Sequence, residues 1–422
     1  MKSRIFIAVL IVVLLVGGFF LPTKSGLRDE VEPESNPITV FQEVEEEQQA
    51  AEEAREEEER KQEESEIINS LPETEQEAYA WAALRSDPES LLMTPERISE
   101  YNAALIQNTS FIDILNVPSY TPDQIKDLLT EDQTLVKDLT GMKDAITNQN
   151  LDSTFHDLRR GIVLSRSALK VLPTDEPIEG PDGEVADVAL LTSSTPVWIL
   201  HNSKDSLYTY VQSAYGRGWI PTQNVASASS QEIWLSYVAP EYKVVITAAE
   251  VNAEGYVLDM GSVFACIEEN GDAYTLLIPT RRSDGAVEGR EITLDRTVSS
   301  LGYIDYTWVH LFKQLYLYKA QDIDVSTDGL IHNIYHVFGL ELPGNLSEDM
   351  EALGTATDLS SLSDEELTSS YSSIAGPALI QDADGVSLFL GPKEGEVWKF
   401  RQDNGKGQEV IVDAPEVLTV IG

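Results

Sequence analysis

The segment Ser326–Asn345 reads STDGLIHNIYHVFGLELPGN and contains the clearest helical pattern of the chain. Its apolar residues recur at helical spacing and predict one buried stripe, formed by Leu330, Ile331, Ile334, Tyr335 and Phe338. His332, Asn333 and His336 fall on the opposite face, which the pattern predicts to be exposed. The two histidines have the i,i+4 spacing of a zinc-binding helix, but Asn333 stands where that motif has Glu, so no metal site is predicted.

The same stretch resembles the nucleophile helix of NlpC-type cysteine peptidases, which cut the stem peptides of bacterial cell walls. In that family the segment reads roughly D-C-S-G-L-I, then a helix, then F-G-I-x-L-P-R-N-S. The matching residues are Gly329, Leu330, Ile331, Ile334, Tyr335, Phe338, Gly339, Leu342, Pro343 and Asn345. The resemblance places Thr327 at the nucleophile position if Gly329 sets the register, and Val325 if Asp324 does. Neither is a cysteine.

The second half of the family's catalytic dyad is also missing. The family has its histidine in a strand of the form G-H-x-x-L-Y-L-G, and residues 385–391 read GVSLFLG, with Val386 at the histidine position. A thiol nucleophile needs a base within hydrogen-bond reach, and valine cannot take a proton. The resemblance therefore implies a degenerate peptidase-like domain over residues 301–422, papain-like and α+β in fold, without catalytic residues.

Upstream residues resemble the bacterial SH3-like domains that precede the peptidase in this family. The first would span 158–228, with the hallmarks Pro173-Thr174, a strand over 197–203, and Gly218-Trp219-Ile220. The second would span 229–300. The resemblance implies that these barrels recognise stem peptides, with the candidate ligand contacts Trp219, Tyr208, Tyr210 and Tyr215. Barrel packing explains each of these aromatic residues equally well.

Residues 71–157 have a helical pattern and resemble the N-terminal clip of the longer NlpC-type peptidases. A capped start at Thr94-Pro95 predicts a helix to Ile106, and further helices are predicted over 123–129 and 134–146. The clip is expected to wrap the body of the protein, because it has too few apolar residues for a core of its own.

The first 70 residues predict a tether. Lys2 and Arg4 precede 17 apolar or glycine residues, Ile5–Leu21, so residues 1–25 are an uncleaved membrane anchor or a cleaved signal segment. Residues 26–70 form an acidic spacer, with 13 acidic and 3 basic residues between Glu43 and Glu66. Either reading places the body outside the cytoplasmic membrane, in the cell envelope.

The 422-residue chain has a formal net charge of −43, which excludes a nucleic-acid partner because phosphate contacts need clustered Lys and Arg. Its single cysteine, Cys266, excludes an intrachain disulfide and lies in an apolar run that predicts a buried strand. The predicted fold class is thus α+β: an N-terminal anchor and helical clip, two small SH3-like β-barrels and a papain-like C-terminal domain.

These features predict a membrane-tethered, catalytically inactive NlpC-type homologue that binds peptidoglycan stem peptides or an envelope protein partner, with no cofactor. One alternative is an active peptidoglycan hydrolase that uses Thr327 or Ser326 assisted by Asp328, although no base is evident. Another is a structural assembly protein of the envelope, docked through the acidic surface.

Overall fold

The computed structural model describes residues 72–421, apart from 118, 154–157, 181–186, 322, 324, 375, 394–395 and 404–405. The predicted anchor (1–25) and the predicted acidic spacer (26–70) lie entirely outside these residues. Within the described part of the chain, no helix is long and apolar enough to cross a bilayer. Helices and antiparallel sheets are both present, which confirms a mixed α+β fold.

Four helices make up the N-terminal region: α1 (Glu73–Ala82), α2 (Pro95–Asn108), α3 (Pro122–Asp132) and α4 (Lys143–Asn148). Thr94 caps α2, as the sequence predicts, and Thr121 caps α3 in a reciprocal capping box with Gln124. The prediction of a helix over 134–146 is mostly wrong. Asp138 accepts a hydrogen bond from the amide of Thr140 and so starts a tight 3-10 turn, leaving only α4 as regular helix.

The first β-domain is one antiparallel sheet in the order β3-β2-β6-β5-β4-β1-β7. Its strands are β1 (Arg159–Val163), β2 (Ser167–Lys170), β3 (Asp187–Leu191), β4 (Pro196–Asn202), β5 (Tyr208–Ser213), β6 (Gly216–Pro221) and β7 (Val225–Ser227). Aliphatic residues from these strands fill its interior, among them Val197, Val211 and Ile220. Helix α3 packs on the outside through Ile125 and Leu129, both fully buried.

The second β-domain follows helix α5 (Gln231–Val238) and has a five-stranded sheet in the order β13-β12-β11-β8-β14, with a separate hairpin β9–β10. Its strands are β8 (Lys243–Ile246), β9 (Glu250–Ala253), β10 (Tyr256–Asp259), β11 (Val263–Asn270), β12 (Ala273–Arg281), β13 (Val287–Asp295) and β14 (Ser299–Leu301). Cys266 lies in strand β11, as predicted, but it is partly rather than fully buried, and it packs against the core of this domain. The register between β11 and β12 shifts between Cys266 and Glu268.

The C-terminal domain is a six-stranded antiparallel sheet in the order β15-β20-β16-β17-β18-β19. Its elements are α6 (Trp308–Lys319), α7 (Thr327–His336), α8 (Leu346–Asp349), β15 (Gly354–Asp358), α9 (Asp364–Ser372), β16 (Ala378–Asp382), β17 (Gly385–Lys393), β18 (Glu396–Asp403), β19 (Lys406–Ile411) and β20 (Val417–Ile421). Helix α7 packs on one face of the sheet, against Leu388 and Phe400. Tyr371 of α9 packs on the other face, beside Phe389.

The first β-domain and the C-terminal domain meet at the turn between β5 and β6. The backbone of Tyr215 in this turn lies directly against Gly344, so that a Cβ on Gly344 would overlap the Tyr215 carbonyl. The Tyr215 hydroxyl donates to the Glu341 carboxylate (3.0 Å), and its ring makes an edge contact with Phe111 of the clip. The turn between β5 and β6 therefore joins the first β-domain to both the C-terminal domain and the N-terminal clip.

We expect Gly344→Ala to lower the free energy of unfolding by about 2 kcal/mol or more, because the new methyl group meets rigid backbone rather than a movable side chain. The urea midpoint measures this effect. Gly141→Ala is the matched control, since a Cβ at that glycine meets nothing within 4 Å. An equal midpoint for both variants would contradict the close approach of the two domains.

Candidate functional site

The predicted nucleophile position lies at the start of helix α7. Ser326 caps the helix, its hydroxyl accepting from the amide of Gly329 (3.1 Å), and Thr327 is the first helical residue. The Thr327 hydroxyl accepts from the backbone amide of Gln402 in β18 (3.1 Å) and donates to the carbonyl of the same residue (3.4 Å). Both hydroxyls named as alternative nucleophiles are thus used in backbone hydrogen bonds.

Val386, the predicted histidine position, lies near the start of β17 and is 5% exposed. It belongs to the core that α7 forms with the sheet. Leu388 pairs with Phe400, and continuing this antiparallel register by two residues sets Val386 beside Gln402. The Thr327 hydrogen bonds and this continued register therefore bring both predicted positions to Gln402.

Two further residues, Gln402 and Leu190, pack around the N-terminus of helix α7. The side-chain amide of Gln402 donates to the carbonyl of Ile323 (2.8 Å), four residues before α7 begins. Leu190, in β3 of the first β-domain, packs against the first turn of the helix, with its Cδ2 3.0 Å from where a Cβ on Gly329 would lie. The N-terminus of α7 therefore faces the apolar side chain of Leu190 and the hydrogen-bonded backbone of Gln402.

Sequence reasoning missed Gln402 and Leu190. Gln402 stands one strand after the predicted histidine strand, and a polar residue near the end of that strand was the signal that could have indicated it. Leu190 is an aliphatic residue in a separate domain, and nothing in its local sequence indicates a contact with α7. Of the histidines in the described ranges, none bonds to Thr327.

The sequence predicts that the polar face of α7 is exposed, and this prediction is wrong. Asn333 is 5% exposed and donates to the hydroxyl of Tyr318 (2.9 Å). Gly261 of the second β-domain lies against the Asn333 carbonyl, close enough that an added Cβ would be 2.7 Å away. Both β-domains cover this face, so polar residues that look surface-facing on an isolated helix become interface residues. No group of three or more metal-ligating side chains occurs among the described residues.

Three ionisable groups meet on this covered face. Burial disfavours protonated His336, but the carboxylate of Glu341, 3.2 Å from its Nε2, outweighs burial and raises the pKa of the imidazole. Burial opposes ionisation of Glu341 too, yet His336 and the hydroxyl of Tyr215 hold the pKa of the carboxyl below its usual range. Burial dominates at His332 and lowers its pKa to about 4, because Glu341 and the backbone of Pro343 oppose the effect of burial only in part.

The predicted ligand contacts divide into two places. Tyr208, Tyr210 and Trp219 form one cluster beneath helix α3, whereas Tyr215 lies at the junction with the C-terminal domain. Tyr210 and Trp219 are 0% exposed, and Tyr208 is 7% exposed. Ligand binding by the cluster stays a prediction, and it requires α3 to move away.

A buried carboxyl supports the packing of α3 over this cluster. The hydroxyl of Tyr210 donates to Asp132 at the end of α3 (2.5 Å), and Arg217 donates to the other carboxylate oxygen (3.2 Å). Burial raises the pKa of Asp132 to about 6, although Tyr210 and Arg217 both oppose this rise. The contact between α3 and the barrel thus combines apolar packing with an acid that resists ionisation.

His332 gives a pH prediction. Its pKa of about 4 in the folded protein lies below the value of about 6.5 in the unfolded chain, so its contribution to stability decreases as the pH falls from about 6.5 toward 4. We expect the difference in urea midpoint between the wild type and His332→Gln to shift in favour of the variant between about pH 7 and pH 5.

A midpoint difference that stays constant over this range would contradict the burial of His332.

Comparisons with known proteins find similarity to the first β-domain in sequence and to most of the chain in structure. The sequence pattern of the SH3 domain, SH3b1 type, matches residues 178–221, within the first β-domain. An NlpC/P60 endopeptidase from Photobacterium damselae subsp. piscicida is structurally similar over 78% of this chain and 87% of its own, with a TM-score of 0.62 and 16% identity. An NlpC/P60 family protein from Bacillus cereus aligns with 62% of this chain and 99% of its own, with a TM-score of 0.45 and 11% identity.

No curated protein matches the chain significantly by sequence. The evidence for its relationship is therefore the SH3 pattern together with the structural similarity over most of the described residues. The predicted resemblance is confirmed at the level of the fold: the chain has the architecture of NlpC/P60 endopeptidases and carries an SH3-type domain in its first β-domain.

Proposed function

We propose that this chain is a catalytically inactive NlpC-type protein that binds peptidoglycan stem peptides in the cell envelope, where its N-terminal segment tethers it to the membrane. One observation carries the proposal. The hydroxyl of Thr327, at the predicted nucleophile position, is hydrogen-bonded to the backbone of Gln402, and buried Val386 stands at the predicted position of the base.

Hydrolysis through a hydroxyl needs a group that takes its proton as the oxygen attacks. At Thr327 that proton goes to a main-chain carbonyl, which is not a base at physiological pH, and the oxygen already accepts an amide proton. Freeing the hydroxyl would leave the Gln402 amide and carbonyl unpaired, at a cost of about 1–3 kcal/mol. Thr327 therefore holds β18 to α7 in this proposal and takes no part in bond cleavage.

The location follows from the first 70 residues. The apolar run Ile5–Leu21, preceded by Lys2 and Arg4, fits a segment whose positive end stays in the cytoplasm, and this orientation puts the body outside the membrane. The acidic spacer would hold the body away from the membrane surface. An SH3-type domain on an NlpC/P60 architecture supports the cell wall as the binding target.

A second candidate function is that of an envelope assembly protein that binds another protein instead of the wall. The observation in its favour is the helix α3, which covers Tyr210 and Trp219, two of the aromatic residues proposed to contact stem peptides. If α3 stays in place, these residues are barrel core, and recognition falls to other surfaces of the molecule.

The deciding experiment incubates the full-length protein, in detergent, with purified sacculi. We expect the protein to sediment with the sacculi and to release no soluble peptides, and we expect Thr327→Ala to bind within about twofold of the wild type. The variant should unfold more easily, by about 1 kcal/mol, because the Gln402 amide loses its partner. Thr327→Ser, which keeps the hydroxyl, is the matched control.

Peptides released by the wild type and by Thr327→Ser but not by Thr327→Ala would overturn the proposal in favour of an active hydrolase. Failure of all three proteins to sediment with sacculi would favour the second candidate, an assembly protein.

A further inference from the structure

The two edges of the C-terminal sheet differ. At one edge, helix α6 covers strand β19. A Cβ added to Gly407 of β19 would lie 3.3 Å from the backbone nitrogen of Lys319 at the end of α6. At the other edge lies β15, Gly354–Asp358, and all five of its residues are exposed. Within the described ranges, no strand or helix pairs with its outer side.

The hydrogen-bonding groups of this edge can be assigned. The amide of Leu359 donates to the carbonyl of Glu416 (2.7 Å), which marks this pair as hydrogen-bonded. Such pairs alternate with non-bonded pairs in an antiparallel ladder, so residues 355 and 357 bond to β20. The amides and carbonyls of Gly354, Ala356 and Asp358 therefore point outward, at the spacing that an added strand requires.

Most of the usual protections of an edge strand are missing here, and the one charged residue of β15, Asp358, lies at its end. Natural edges are blocked by proline, lysine or a bulge, or are kept very short. The sequence of β15 is GTATD, without proline or lysine, and its register with β20 is unbroken over all five residues. An unprotected edge of this length binds other strands, which makes it a liability unless pairing is its purpose.

A cavity of about 220 Å³ adjoins the same edge. Thr355 and Thr357, whose side chains share one face of β15, form one wall of it. The other walls come from β20 and from the end of α9 and the residues after it: Leu418, Val420, Tyr371 and Ile374. An added strand would set every second side chain on this face, so the cavity suits one uncharged side chain of medium size.

The charge around β15 has one sign. Residues 337–392 include ten acidic residues and not one Lys, Arg or His. Near the edge the exposed carboxylates are those of Glu351, Asp358, Glu365, Glu366 and Glu416. The one nearby lysine, Lys399, is buried and paired with Asp382 (2.5 Å) on the inside of the sheet. A second copy of this chain would bring the same negative charge to the edge and would be repelled.

We propose that β15 binds an extended, Lys- or Arg-containing segment of a protein partner, which adds to the sheet as a further strand and places an uncharged side chain in the cavity. Main-chain hydrogen bonds to Gly354, Ala356 and Asp358 supply the affinity, and the acidic surroundings select a cationic sequence. This interaction is independent of binding to the cell wall, since it uses neither the β-domains nor the region around Thr327.

The probe is a labelled heptapeptide of alternating Lys and Val, acetylated and amidated, titrated into the full-length protein at about 0.15 M salt, where weak surface charge effects are screened. We expect saturable binding by fluorescence anisotropy. The same peptide with an N-methyl group on every residue keeps its charge but has no main-chain N–H on either edge, and it should bind at least tenfold more weakly. Hydrogen exchange should slow at the amides of 354, 356 and 358.

On the protein, Ala356→Pro removes an outward amide without removing a bond to β20, so the sheet should form while peptide binding falls at least tenfold. Ala356→Ser is the matched control and should bind normally. Equal binding of the methylated and unmethylated peptides to the wild type would overturn the proposal, as would concentration-dependent dimers that Ala356→Pro abolishes. The methylated peptide needs no variant, so the proposal is testable even if Ala356→Pro fails to fold.

Discussion

The close approach of Tyr215 to Gly344 is the constraint on which the arrangement of domains depends. Backbone meets backbone there, so neither side can adjust by a change of rotamer. The Tyr215 hydroxyl then reaches Glu341, which in turn pairs with His336. The resembling family has Arg at the position of Gly344, and an Arg side chain could not fit beneath this turn. The glycine is thus a consequence of how the first β-domain is seated.

The local sequence pattern was sufficient to predict the helices and strands, but it was not sufficient to predict which of their faces pack against other domains. The apolar stripe of α7 and the strand at 385–391 were predictable, because alternation and helical spacing record which side of an element is buried. The faces of α7 covered by other domains were not predictable. Asn333 and His332 are polar, and only the position of Gly261 and Tyr215 in space makes their face an interface. Strand β15 was missed because its exposed residues have no apolar alternation.

The positions that the resemblance assigns to the nucleophile and the base could be located from the sequence, but the residues that surround them could not. Thr327 and Val386 were assigned from their neighbours in sequence, and the structure sets both beside Gln402. What fills the site could not be assigned in this way. Leu190 comes from another domain, and the role of Gln402 depends on the register between β17 and β18. Both are long-range facts, which a local pattern does not encode.

A working nucleophile is kept poised by groups that are strained or incompletely paired, and this arrangement lowers the stability of an enzyme. The site around α7 shows the opposite. Ser326 and Thr327 use their hydroxyls in backbone hydrogen bonds, and Val386 adds apolar packing where an imidazole would need partners. In the proposed function, this region therefore serves the structure of the domain rather than chemistry. Its remaining task is to hold the sheet against α7, and the sheet presents β15 at its open edge.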